Sequence, residues 1–149
     1  MMLKTADTAP DDGELFREFE HTGDVGIEIT APTRSELFRR AAIALAAVMV
    51  DRSTVASREE RRVEIQTAND VELIHDMLAA LLDLFVVDGF VWRDASIKES
   101  ATGLTVVLSG EPFNPDHHDL RGEVKAITYH QLCVEQSPSG WRARVILDV

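Results

Sequence analysis

A single cysteine, Cys133, stands among the 149 residues. The chain can therefore form no internal disulfide and no Cys-x-x-Cys zinc site. Aromatic residues are scarce, at 6%, too few for a platform that stacks the bases of a single strand. Positive charge is in deficit: 15 Lys and Arg against 26 Asp and Glu leave a formal net charge of −11. A phosphate backbone needs a basic face, so strong direct nucleic-acid binding is not expected. Such an anion is suited instead to cations or to a basic surface on another protein. Long apolar runs are missing too. The longest, Ala41 to Val50, is too short to span a bilayer, and no membrane partner is expected. The opening MMLKTADTAPDDGELF has no apolar stretch of the signal-peptide kind, so the expected localisation is cytoplasmic. There is no P-loop, GxGxxG or GxSxG motif.

What is present is an ordinary globular mixture, 45% hydrophobic and 28% charged, long enough to bury one core. Residues 1–13 are poor in large apolar side chains and read as a flexible N-terminal tail. No linker, repeat or low-complexity segment divides residues 14–149, so a single domain is expected there. A first strand is expected over 15–21. In the next, Val25, Ile27 and Ile29 alternate with Gly26, Glu28 and Thr30, the period of a half-buried strand, which puts Asp24 on the side away from the core. Thr33 and Glu36 have capping-box spacing ahead of an apolar stripe from Leu37 to Met49. After a strand near 62–67, Asn69 or Asp70 caps a second helix, where Ile74, Met77, Leu78, Leu81, Leu82 and Phe85 recur at helical spacing. Strands follow near 90–99, 104–110, 124–136 and 141–148. The order is roughly ββαβαββββ. Helices and strands do not alternate regularly, so the fold class is α+β: a largely antiparallel or mixed sheet with two main helices on one face.

Three places concentrate polar chemistry. At Glu20-His21-Thr22-Gly23-Asp24 a strand ends and turns, and carboxylate and carbonyl oxygens there suit a hard cation. At the C-terminus the Asp148 side chain and the Val149 α-carboxylate are adjacent and held by a strand. In the segment from Glu123 to His130, Lys125 stands at a strand start, where it would meet a phosphate or a partner's carboxylate, and Thr128 and His130 would share a strand face. Taken singly, each is more often an ordinary polar hairpin, a chain end and a solvated edge lysine. His117 and His118 point opposite ways in extended chain and do not make a metal pair. His75 reads as a helix-surface histidine and Cys133 as buried packing.

In combination these segments resemble one family. Phe19-Glu-His-Thr-Gly-Asp24-Val-Gly-Ile, the Glu36-Leu-Phe helix, Leu73-Ile-His-Asp-Met-Leu78, Gly110-Glu-Pro-Phe-Asn-Pro, Val124-Lys-Ala-Ile-Thr-Tyr-His130 and Val145-Ile-Leu-Asp-Val149 follow one another as in archease. The resemblance runs from about Leu15 to Val149. It implies a small acidic α+β protein that activates an RtcB-type RNA-splicing ligase, promoting its guanylylation and repeated turnover in tRNA splicing and RNA repair. It implies a divalent metal site, with calcium expected and magnesium or manganese as alternatives, formed by Asp24, Asp148 and the carboxylate of Val149. His21 and Lys125 match motif positions concerned with the partner and activation. Glu20 stands where the family commonly has Asp. No catalytic residue is expected in the chain itself. The competing readings are an independent metal-dependent phosphoesterase and a chaperone-like interaction module with a structural metal.

Overall fold

The computed structural model describes residues 15–21, 23–67 and 69–149, with His21 described by its backbone alone. The expected tail over 1–13 lies outside the described residues. Among the described residues, eight strands and two main α-helices follow in the order β1 (Phe16–His21), β2 (Asp24–Ala31), α1 (Arg34–Met49), β3 (Glu59–Gln66), α2 (Asp70–Asp88), β4 (Phe90–Ser100), β5 (Gly103–Pro112), β6 (Ala126–Ile127), β7 (Cys133–Ser137) and β8 (Gly140–Asp148). A short 3₁₀ turn, Arg52–Thr54, follows α1.

The fold is α+β with two main helices and antiparallel strands, as expected, but the strands divide between two sheets. One runs β1-β2-β8-β6, with β7 also pairing β8; the other runs β3-β5-β4. All pairings between strands are antiparallel. The division follows from the character of α1. Its sequence is alanine-rich and apolar on every side from Ala41 to Met49, and every one of those residues is buried. A helix apolar all round must be covered all round, and α1 touches both β2 of the first sheet and β4 of the second. Trp92 of β4 marks the centre. It is fully buried, and its indole N–H donates to the Ala42 carbonyl at 2.9 Å, so its one polar atom is satisfied.

Thr33 caps α1 by accepting from the Glu36 backbone N–H at 3.2 Å. The reciprocal half of the capping box is replaced, because the Glu36 carboxylate accepts from Arg39 and Arg40. Asn69, rather than Asp70, caps α2 by accepting from the N–H groups of Val71 and Glu72. The strand expected over 124–136 is broken into β6 and β7. Gln131 between them has φ 55°, a left-handed conformation no strand continues through. Thr128 therefore lies just past the end of β6 and His130 in the turn after it, and they share no strand face: the Thr128 hydroxyl donates to the Ile146 carbonyl at 2.9 Å and accepts from the His130 N–H at 3.2 Å.

Candidate functional site

The pairing register gathers the sequence-selected residues at one end of the first sheet. His21 of β1 is opposite Asp24 of β2. Val25 is opposite Leu147 of β8, so one step further Asp24 lies across from Asp148. On the other side of β8, Asp148 is opposite Ala126 of β6. The Lys125 N–H donates to the Asp148 carbonyl at 2.7 Å, which sets Lys125 alongside Val149. The two weak signals of the sequence, a turn near the start and a chain end, are thus one place.

The face is set by alternation. Ile27 and Ile29 of β2, with Val145 and Leu147 of β8, are buried in the core. Residues directly opposite one another share a face. Asp24 and Asp148 therefore lie on the other face. Asp24 is half-buried and Asp148 exposed; Val149 is 37% exposed. Water can reach all three.

The donor set is all oxygen. Among the described residues, no three His, Cys, Asp or Glu side chains stand close enough to hold a metal by themselves. A cation at this row would need the Val149 carboxylate beside the two aspartates, with water completing its shell. Carboxylates with several waters suit a hard divalent ion, Ca²⁺, Mg²⁺ or Mn²⁺, better than zinc.

The rows behind the carboxylates are aromatic and cationic. The Phe19 ring lies flat across Gly26, where a Cβ would come within 2.1 Å of it; only glycine leaves that space. The guanidiniums of Arg17 and Arg144 stand 5.5 and 4.3 Å from the ring centre. Arg17 and Arg142 donate to the two oxygens of Glu28, at 2.7 and 2.5 Å. Hydrogen bonds from those two arginines hold the Glu28 carboxyl below its ordinary pKa. Cys133, opposite Arg144, is half-buried on this sheet and is not the buried packing residue expected.

Two clasps fix the chain that leads to Lys125. In the first, His118 is buried. Its Nδ1 accepts from the Asn114 N–H at 2.8 Å, so Nε2 carries the proton and donates to Glu111 at 2.8 Å. Glu111 also accepts from the Ala56 N–H, and these bonds, the Ala56 one foremost, lower its pKa. In the second clasp, the His75 ring stacks on Tyr129 at 3.9 Å. Its Nε2 donates to the Ile127 carbonyl at 3.2 Å, and the Tyr129 hydroxyl donates to Glu72 at 3.0 Å. His75 is therefore a half-buried tie between α2 and β6 and not a plain surface histidine. Helical spacing alone gives no sign of this, because its partner lies 52 or more residues away.

Residues 16–149 match the archease protein family (MTH1598/TM1083). The chain is 33% identical over 145 residues to protein archease of Methanosarcina mazei, which covers 94% of this chain and 99% of the relative. It is 36% identical over 138 residues to protein archease of Methanopyrus kandleri, covering 90% and 99%. The solution structure of Methanobacterium thermoautotrophicum protein 1598 superposes with a TM-score of 0.75 at 36% identity, over 91% of this chain and 99% of that one. The crystal structure of a Thermotoga maritima archease, described as a possible chaperone, shares the fold with a TM-score of 0.60 at 23% identity, over 89% and 96%.

Proposed function

The chain belongs to the archease family, and on that premise we propose that it is a metal-binding protein cofactor that activates an RtcB-type RNA-splicing ligase. It speeds guanylylation of the ligase and lets it turn over repeatedly, and does no chemistry on RNA ends itself. The observation that carries this reading is the convergence of Asp24, Asp148 and Val149 at one solvent-open sheet end, with Lys125 beside them. Three oxygen donors with room for water suit a hard cation. Lys125 does not coordinate a cation, so its ammonium is directed to the partner or to a phosphate the partner holds.

The remaining acidity fits the same reading. A ligase that handles RNA and GTP presents basic surface, and a chain of net charge −11 is steered toward it. The sequence carries no GxSxG or other evident nucleophile–base motif, which disfavours the phosphoesterase alternative.

The test is ligase guanylylation and multiple-turnover joining with and without the purified protein. Acceleration is expected, and unchanged ligase kinetics would refute the reading. RNA-end processing by the protein alone, lost on Asp24→Ala, would establish the phosphoesterase. Full activation by chelator-treated, metal-free protein would leave an interaction module whose metal is structural.

A further inference from the structure

At the opposite end of the first sheet lies a pocket of about 390 Å³. It opens where β2 passes into α1 and β7 turns into β8. Ala31 and Trp141, both in its lining, are opposite one another. They stand six residues along the strands from the Val25–Leu147 pair beside the carboxylates, or roughly 20 Å at about 3.3 Å per residue.

Its lining reverses the charge of the molecule. Arg40 and Arg142 line it and no aspartate or glutamate does, in a chain whose net charge is −11. Both guanidiniums are held in place from behind. Arg40 donates through Nε to Glu36 at 2.8 Å and through Nη1 to the Thr30 carbonyl at 2.8 Å. Arg142 donates to Glu28 and Glu135 through its two terminal nitrogens. That leaves the Arg40 Nη2 group and the Arg142 Nε–H without an acceptor among the described residues. Arg40 shares its one carboxylate, Glu36, with Arg39, so its charge is only partly offset, whereas Arg142 shares Glu28 with Arg17 and has Glu135 besides.

The rest of the lining is of two kinds. Trp141 is half-buried, packed against the core on one side and open to the pocket beside Pro32. Ser137 and Ser139 bond each other at 2.9 Å and present hydroxyls at the rim. The turn that places them depends on Gly140, at φ 135°, where a Cβ would stand 2.6 Å from the Ala31 carbonyl oxygen. A volume of this size accommodates a small organic molecule.

We propose that this pocket binds a small organic carboxylate whose flat, apolar body lies on Trp141 and whose anionic oxygens meet Arg40 and Arg142. Guanidinium N–H groups match carboxylate oxygens in geometry and charge, and an indole face takes a planar partner. A carboxylate suits the site better than a phosphate dianion, because Glu28 and Glu36 already offset much of the positive charge. This site is independent of the carboxylate row and of the ligase reading.

The test uses the full chain, ¹⁵N-labelled, titrated with benzoate, with neutral benzamide and with phenyl phosphate. Readouts are the indole N–H signals of Trp141 and Trp92 and the backbone amides of Ser137, Ser139, Gly140 and Trp141. Benzoate is expected to move the Trp141 indole and these amides saturably, leaving buried Trp92 still, with benzamide inert over the same range. Arg40→Gln should weaken benzoate binding about tenfold or more, the loss expected of a charged hydrogen-bond partner, with the Trp92 signal confirming the fold. Equal shifts from benzamide would remove the anion site, and tighter binding of phenyl phosphate would replace the carboxylate by a phosphate. No saturable shift from benzoate, or wild-type affinity in Arg40→Gln, would overturn the proposal.

Discussion

At the scale of single residues, Asp24 and Asp148 contribute no volume to the core, so their charge can be removed without opening a cavity. Asp24→Ala and Asp148→Ala are each expected to lose most cation binding and ligase activation while shifting stability by only about 0.5 kcal/mol. Calorimetric metal titration beside chemical denaturation checks this, and normal metal binding in either variant would displace the site from this row. Lys125→Ala should behave differently, keeping metal affinity but impairing activation. If metal affinity falls in step with activation, Lys125 serves only to position the carboxylates. The outward direction of Asp24 was legible in the alternation of β2. The meeting of Asp24 with Asp148 was not legible from spacing, because 124 residues separate them and the β2–β8 register is a tertiary fact. The family resemblance alone joined them.

At the scale of elements, what could be read was local. Both helices, their capping residues and the alternation of β2 and β8 are short-range patterns, and they stand where expected. The break between β6 and β7 escaped because left-handed Gln131 is neither Gly nor Asn, the residues that normally signal such a turn. The pocket escaped because its two arginines come from different elements and neither belongs to a motif. Elements are also tied by acidic clasps, and these are pH-sensitive. Glu28 joins β1, β2 and β8 through Arg17 and Arg142, and Glu111 binds His118 and the Ala56 N–H. Both carboxyls titrate below their ordinary value of about 4.5 in the folded protein. A lowered folded pKa means the unfolded chain binds protons first. The stabilisation is therefore complete above about pH 4.5 and is lost as pH falls through the folded values. Thermal melts are expected to drop in this acid range. Glu28→Gln and Glu111→Gln together should flatten that drop, and an unchanged acid profile in the double variant would place the sensitivity elsewhere.

At the scale of the whole molecule, the first sheet has two chemically opposite ends, and the start of β1 and the last residue are distributed between them. Val149 lies beside the carboxylate row. Phe16, where β1 begins, is opposite Ile29, five pairs away from the His21–Asp24 step and toward the pocket end. Extending the chain at its two ends should thus have unequal effects. Residues added after Val149 convert its carboxylate into a neutral amide carbonyl and drive new chain through the space beside Asp24 and Asp148. Of the three protein oxygen donors proposed for the cation, one loses its charge and the others lose their access to water. Because β1 begins at Phe16, at the far end of the sheet, residues added ahead of Met1 are expected to leave the carboxylate row as it is. A C-terminally tagged protein is expected to lose most metal affinity and ligase activation, and an N-terminally tagged one to keep both. The comparison is made by metal titration and guanylylation assays on both tagged forms and the untagged chain. Full activity with a C-terminal tag would exclude the Val149 carboxylate as a donor. It would leave the two aspartates too few, among the described residues, to hold a cation.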